Sequence, residues 1–209
     1  IPDLATARDL VKAGRYEELE MLYDSTPNVL SELIRTAFIP KPGTRFIVTD
    51  FSAIEARVIA WLSGEMWRLD VFENGGDIYC ASASQMFKVP VEKHGVNSHL
   101  RQKGKVAELA LGYGGGPPAM INMGALRMGL EEDELPDIVS KWREASPRIV
   151  KLWKDVENAT MLAVKYGEDT ELHHGIRVYR TEKLLHIQLP SGRCIRYFGP
   201  HLTTKRFGS

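Results

Sequence analysis

Cysteine is scarce: Cys80 and Cys194 are the only two in 209 residues, far apart and with no CxxC or Cys/His spacing around them. That excludes a disulfide framework and a structural zinc site, leaving buried free thiols as the expectation. Long hydrophobic runs are missing too. Charges break each apolar stretch well before the ~18 residues that a membrane helix requires, and Ile1 opens no signal-like segment. The expected location is cytoplasmic, with no membrane partner. Neither charge is in surplus, since 27 Lys+Arg face 27 Asp+Glu, which lacks the strongly basic balance common in nucleic-acid-binding domains. Internal repeats and low-complexity tracts are absent. What remains, 44% hydrophobic and 26% charged residues, excludes disorder and collagen-like structure and suits one sizeable core, or a core plus a mobile lobe.

The overall balance hides local asymmetry. Acids gather at 17–24 and 131–137, whereas Arg101, Lys103 and Lys105 stand together, and basic residues dominate 141–154 and 177–206. Any one such run is ordinarily a solvated helix face, so charge alone decides nothing.

The first 38 residues read as short helices: Leu4 to Ala13 closed by Gly14, Glu17 to Tyr23, and a third with Thr26 as N-cap and Pro27 at its first position. The Pro40-Lys41-Pro42-Gly43 turn leads into Arg45 to Asp50, an apolar β-rich run that predicts a central strand ending at a carboxylate. Ser52 and Glu55 fit a capping box, and Ile54, Val58, Trp61 and Leu62 follow at helical spacing until Gly64. From Glu65 to about Gly167 the signals are helical, with turns at 74–76, 114–118 and 146–147. Strand-like pieces return at 176–179, 183–189 and 193–198, the last two joined as a hairpin by Pro190-Ser191-Gly192. This pattern predicts an α+β fold. The divisions are 1–63, N-terminal helices and first sheet segment; 64–174, a helical insertion; and 175–209, the return to the sheet.

Gly112 to Gly116 lacks a following Gly-Lys-Ser/Thr and is not a phosphate loop. His173-His174-Gly175 has no third ligand at a suitable spacing and reads as a turn. Asp50, at a strand end before a helix, is open to two readings: favourable charge at a helix N-terminus, or an exposed cation ligand. One carboxylate is a poor magnesium site without phosphates to complete it. Arg101, Lys105, Leu109 and Tyr113 recur every four residues, forming a helical stripe of ~18 Å that is cationic at one end and apolar at the other.

Asp50-Phe51-Ser52-Ala53-Ile54-Glu55-Ala56-Arg57 resembles motif A of the family A DNA polymerases. Phe51 replaces the common tyrosine and Ala53 the common glutamine; the acid, Ser52, Ile54, Glu55 and Arg57 are in place. Arg101 to Gly114 resembles motif B, the fingers helix of the same family, with Leu109 where an aromatic residue is usual. Tyr79 stands where many members carry a phosphate-contacting histidine. The resemblance implies a partial antiparallel palm sheet with a large helical fingers subdomain. It also implies that Asp50 holds two Mg2+ ions with help from the carbonyl of Phe51, and that Glu55 crowds the sugar 2′ position against ribonucleotides. By the same resemblance Arg101 and Lys105 grip the triphosphate of the incoming deoxynucleotide, with Lys105 able to protonate the leaving pyrophosphate. Tyr113 would lie near the templating base, and Arg193 could meet primer-template DNA.

The implied reaction is template-directed extension of a primer 3′ end by two-metal phosphoryl transfer. The family's third motif, a His-Asp-Glu carrying the second metal-binding acid, is not reached by Ser209, and no thumb segment is present. The expectation is therefore a palm-fingers piece of a phage or prophage polymerase, inactive or feeble by itself, with the remainder of the enzyme as partner. Two alternatives stay open: a single-subunit RNA polymerase fragment, against which Glu55 argues, and a non-catalytic helical module that binds nucleic acid.

Overall fold

The computed structural model describes residues 3–203; Lys205 and Arg206, at the end of the C-terminal basic run, lie outside them. The chain divides into two compact units, Ile1–Asp50 and Phe51–Ser209.

The first unit is a small helical cluster. α1 (Leu4–Lys12) starts at Asp3, whose carboxylate accepts from the backbone N–H groups of Ala5 and Thr6, as a good N-cap does. α2 (Tyr16–Leu22) and α3 (Thr26–Leu33) follow. Ala7, Leu10, Leu19, Val29 and Leu33 pack together from the three helices, and the Tyr23 hydroxyl donates to the carbonyl of Asp3. The N-cap of α3 is Ser25, not Thr26, with Pro27 in the first turn. Among the described residues the buried apolar side chains of this unit number five, which makes it a lightly held cluster.

Residues 45–50 form no strand, which corrects the reading of a central strand ending at Asp50. A strand exists through its ladder of partners. The exposed Phe46, Ile47 and Val48 have the composition of a strand without the pairing.

The second unit begins with α4 (Ile54–Ser63), α5 (Met66–Glu73), α6 (Ile78–Phe87) and α7 (Leu100–Leu111). α8 (Pro117–Asn122), α9 (Leu135–Ala145) and the 20-residue α10 (Pro147–Tyr166) complete the helical layer. The expected capping box at Ser52 and Glu55 is not formed: α4 is preceded by Ala53 in the left-handed region (φ 50°, ψ 43°), with no side-chain cap. The main core is built from Val106, Ala107, Ala110 and Leu111 of α7, Ile138 and Trp142 of α9, and Ile149 of α10. α6 and α7 approach so closely at Gly104 that a Cβ there would meet the Tyr79 carbonyl oxygen at 2.2 Å. Gly104 is thus a packing requirement of the helix pair.

β1 (Thr170–Glu171), β2 (Arg177–Arg180), β3 (Leu184–Gln188) and β4 (Cys194–Phe198) form an antiparallel sheet in sequential order. β3 and β4 are the hairpin predicted around Pro190-Ser191-Gly192, with Gln188 paired to Cys194. Val178 and Leu185 pack on Ala159 and Ala163 of α10, which covers one face of the sheet. The helical unit with a separate antiparallel sheet is the expected α+β class. His173-His174-Gly175 is a single helical turn, with the His174 ring stacked on Trp61 at 4.3 Å.

Candidate active site

α4 and α7 bring the two motifs together. A cavity of about 170 Å³ is lined by Ala53, Glu55 and Ala56 from the start of α4, Tyr79 from α6, Leu109 and Glu108 from α7, and Tyr113 just beyond it. A second cavity, of about 330 Å³, shares Glu55, Glu108 and Tyr113 and is otherwise apolar, walled by Ile54, Val58, Leu62 and Gly112. Four residues singled out from sequence (Glu55, Tyr79, Leu109, Tyr113) therefore line one small space. The helix explains why: Leu109 is one turn from Lys105 on the same face, while Val106, Ala107, Ala110 and Leu111 turn into the core.

Tyr113 is not on the helix, as a four-residue stripe would require, because α7 ends at Leu111. Its side chain is largely exposed (71%). Partial burial raises its hydroxyl pKa, and the nearby Glu55 charge and hydrogen bonding to Glu55 raise it further. Tyr79 is also raised, first by burial and then by the charges of Glu108 and Asp77, against the opposing charge of Arg101. Both shifts disfavour the phenolate, so neither tyrosine adds negative charge to the cavity.

At the other end of α7, Arg101 and Lys105 differ. Arg101 donates through Nε to Asp77 Oδ2 at 2.9 Å and lies over the Tyr79 ring at 5.3 Å. Lys105 is partly buried, and its side chain makes no hydrogen bond or ion pair with any described residue. A partly buried ammonium without a carboxylate suits an anionic ligand. Lys103 does not share this freedom: it pairs with Glu134.

Sequence reasoning missed two carboxylates here. Glu108 is buried, accepting from Trp142 Nε1 at 2.8 Å and Arg68 NH1 at 2.6 Å, while Arg68 NH2 donates to Ser146 Oγ at 2.8 Å. The network joins α5, α7 and the α9–α10 junction around one wall of both cavities. Its partners lie 34 and 40 residues from Glu108, beyond any local pattern; an acid amid the buried face of α7 was the available signal. Asp77 is the second, and its signal was an aspartate directly before the helical Ile78-Tyr79.

The predicted DNA-contact residue Arg193 is exposed in the β3–β4 turn, donating to Ser191 Oγ at 3.3 Å, and lines neither cavity. Asp50 and Phe51 are both exposed, the first ending one unit and the second opening the other. Among the described residues no cluster of three His, Cys, Asp or Glu side chains is arranged to hold a metal. The oxygens of Asp50 and the Phe51 carbonyl are of the hard type magnesium takes, but too few to enclose it; a ligand with phosphate oxygens would have to complete the set.

A family model for family A DNA polymerases matches residues 26–166, spanning both motifs and the helices between them. The chain belongs to the family A DNA polymerases. It is 59% identical over all 209 of its residues to the DNA polymerase of Bacillus phage SP02, of which it covers 32%. It is also 36% identical over 116 residues to DNA polymerase I of Rhizobium leguminosarum, covering 56% of this chain and 11% of that protein. Against the thermostable DNA polymerase I of Thermus aquaticus it is 40% identical over 85 residues, 41% of this chain and 10% of the relative. The chain thus spans about a third of its phage relative. No helix among the described residues is long and apolar enough to cross a membrane.

Proposed function

We propose that this chain is the nucleotide-binding part of a template-directed DNA polymerase that adds deoxynucleotides to a primer 3′ end. The observation carrying this is the shared cavity of Glu55, Tyr79, Leu109 and Tyr113, at the end of a helix whose Lys105 ammonium has no partner among the described residues. A triphosphate is anionic at one end and has an apolar, planar base at the other; α7 offers cations in its first turns and Leu109 and Tyr113 near its end. The N-terminal helix dipole adds to the positive potential around Arg101.

Phosphoryl transfer is catalysed chiefly by positioning and charge neutralisation. Arg101 and Lys105 bind and orient the phosphates, and Lys105 holds a proton that the leaving pyrophosphate can take. Glu55, ahead of the sugar site, leaves no room for a 2′-hydroxyl. Tyr113 offers a ring face near the templating base, and Arg193 a phosphate contact on the hairpin. Asp50, with the Phe51 carbonyl, would hold magnesium, whose chemistry when bound is to neutralise phosphate charge and activate the primer hydroxyl.

Equilibrium binding of dATP with Mg2+ tests the reading. Lys105→Ala should weaken binding by about 10²-fold if the lysine neutralises the triphosphate, with no comparable change for deoxyadenosine. Unchanged dATP affinity in Lys105→Ala would reject the assignment. In a primer-extension assay on an enzyme containing these residues, Asp50→Ala should abolish incorporation.

A further inference from the structure

We infer that Asp77 is a positioning residue for the nucleotide: it fixes the guanidinium of Arg101 so that its remaining N–H groups meet the triphosphate. The inference rests on the reading of Arg101 as a triphosphate ligand. Asp77 is the N-cap of α6, and its Oδ1 accepts from the backbone N–H groups of Tyr79 at 2.9 Å and Cys80 at 3.2 Å. The helix it starts therefore holds its rotamer. The other oxygen, Oδ2, receives Nε of Arg101 at 2.9 Å and has NH2 at 2.8 Å. Both carboxylate oxygens are committed, one to the backbone and one to the arginine.

Arginine has five N–H donors in a planar fork. Asp77 engages its Nε side through Nε and one terminal nitrogen, and the Cys80 thiol also lies within reach of the guanidinium, so donors beyond those two are what a phosphate would meet. The Tyr79 ring supports the guanidinium as a cation–π partner. The two helices bearing these groups cannot drift apart without loss, because Gly104 seats α7 directly against the Tyr79 carbonyl. An otherwise mobile arginine is thereby pre-oriented, and the ordering that a ligand would have to impose is already made. The side chains of the pair are only 24% and 26% exposed, so solvent screens the contact less than at an open surface.

A competing role is conceivable for the same carboxylate: holding Arg101 away from phosphate until a ligand displaces it. The anchoring of Asp77 by two backbone donors favours orientation over competition.

The two roles predict opposite signs. Binding of dATP with Mg2+, with dAMP as control, is measured for the full chain, Asp77→Asn, Asp77→Ser, Arg101→Ala and the Asp77→Asn/Arg101→Ala double variant. Asn and Ser both retain an oxygen for the backbone N–H groups, so the start of α6 survives, and far-UV circular dichroism verifies that each variant is folded. Orientation predicts that Asp77→Asn and Asp77→Ser weaken dATP binding by roughly tenfold, leave dAMP binding almost unchanged, and that the double variant is no weaker than Arg101→Ala. Equal or tighter dATP binding by Asp77→Asn, with Arg101→Ala weakened, overturns the inference while the triphosphate reading stands. Additive losses in the double variant do the same. Undiminished binding by Arg101→Ala overturns both.

Discussion

Gly104 faces the backbone carbonyl of Tyr79 across the α6–α7 contact with no room for a side chain: a Cβ would lie 2.2 Å from that oxygen and 3.1 Å from the Ala83 Cβ. The obstruction is mostly backbone, which cannot rotate out of the way. The residue needs to be small for packing, since helical backbone alone would favour alanine there.

Gly104→Ala should therefore destabilise the second unit although alanine is the better helix former. A cost of about 1–3 kcal/mol is expected from overpacking. Urea unfolding followed by tryptophan fluorescence reads this unit selectively, because Trp61, Trp67, Trp142 and Trp153 all lie after residue 50. A transition midpoint at or above that of the unmodified chain would contradict the tight α6–α7 contact.

The buried Glu108 network yields a larger effect. Its side chain and that of Arg68 are 3% and 0% exposed, and removing one partner leaves the other charge uncompensated. Glu108→Leu should cost about 3–5 kcal/mol, whereas joint replacement of Arg68 and Glu108 by apolar residues of similar volume should recover much of the loss. The same urea transitions measure both. A double variant as unstable as Glu108→Leu would show that shape, not charge pairing, sets the cost.

Acid sensitivity should carry a contribution from Asp77. Burial tends to raise its pKa, but hydrogen bonds from Arg101 and from the Cys80 and Tyr79 backbone prevail and lower it below the usual carboxylate value. The sign follows from linkage: a depressed folded-state pKa gives stability fully present above the unfolded value of about 3.9, lost as pH falls through the lower folded value. Asp77→Asn should thus flatten the decline of stability below about pH 4, seen by comparing urea midpoints from pH 3 to 7. An unaltered acid limb would mean the Arg101 contact is not formed in solution.

Sugar selection provides a prediction independent of stability. Glu55→Ala removes a carboxylate from the lining of the 170 Å³ cavity, so an enzyme carrying it should lose discrimination against ribonucleotides by on the order of 10²-fold. The ratio of ATP to dATP incorporation measures this. A ratio that does not move would remove Glu55 from the sugar site.

Much of this arrangement was legible along the chain because its signals are local. Pro147 and Gly167 bracket α10, Gly64 ends α4 with φ 67°, and Pro190-Ser191-Gly192 turns the hairpin. The Glu55–Leu109–Tyr113 grouping was legible through the two motifs and is found around one cavity. The strand at 45–50 was misread because composition favours a strand while only pairing makes one. The capping box failed because the pattern Ser52…Glu55 says nothing of backbone, and Ala53 takes a left-handed conformation immediately before α4. Asp77–Arg101 and Glu108–Arg68 were invisible because they depend on helix packing across 24 and 40 residues.

The sheet ends at β4, which bonds to β3 on one side and to no other described strand, with Ile195 and Tyr197 uncovered. Such a rim can template the addition of a further strand, from the same molecule or a neighbour. Arg193 and Arg196 bear like charge along it, so two copies meeting rim to rim repel. Rim-to-rim association of two copies should therefore strengthen at high salt, which screens these arginines.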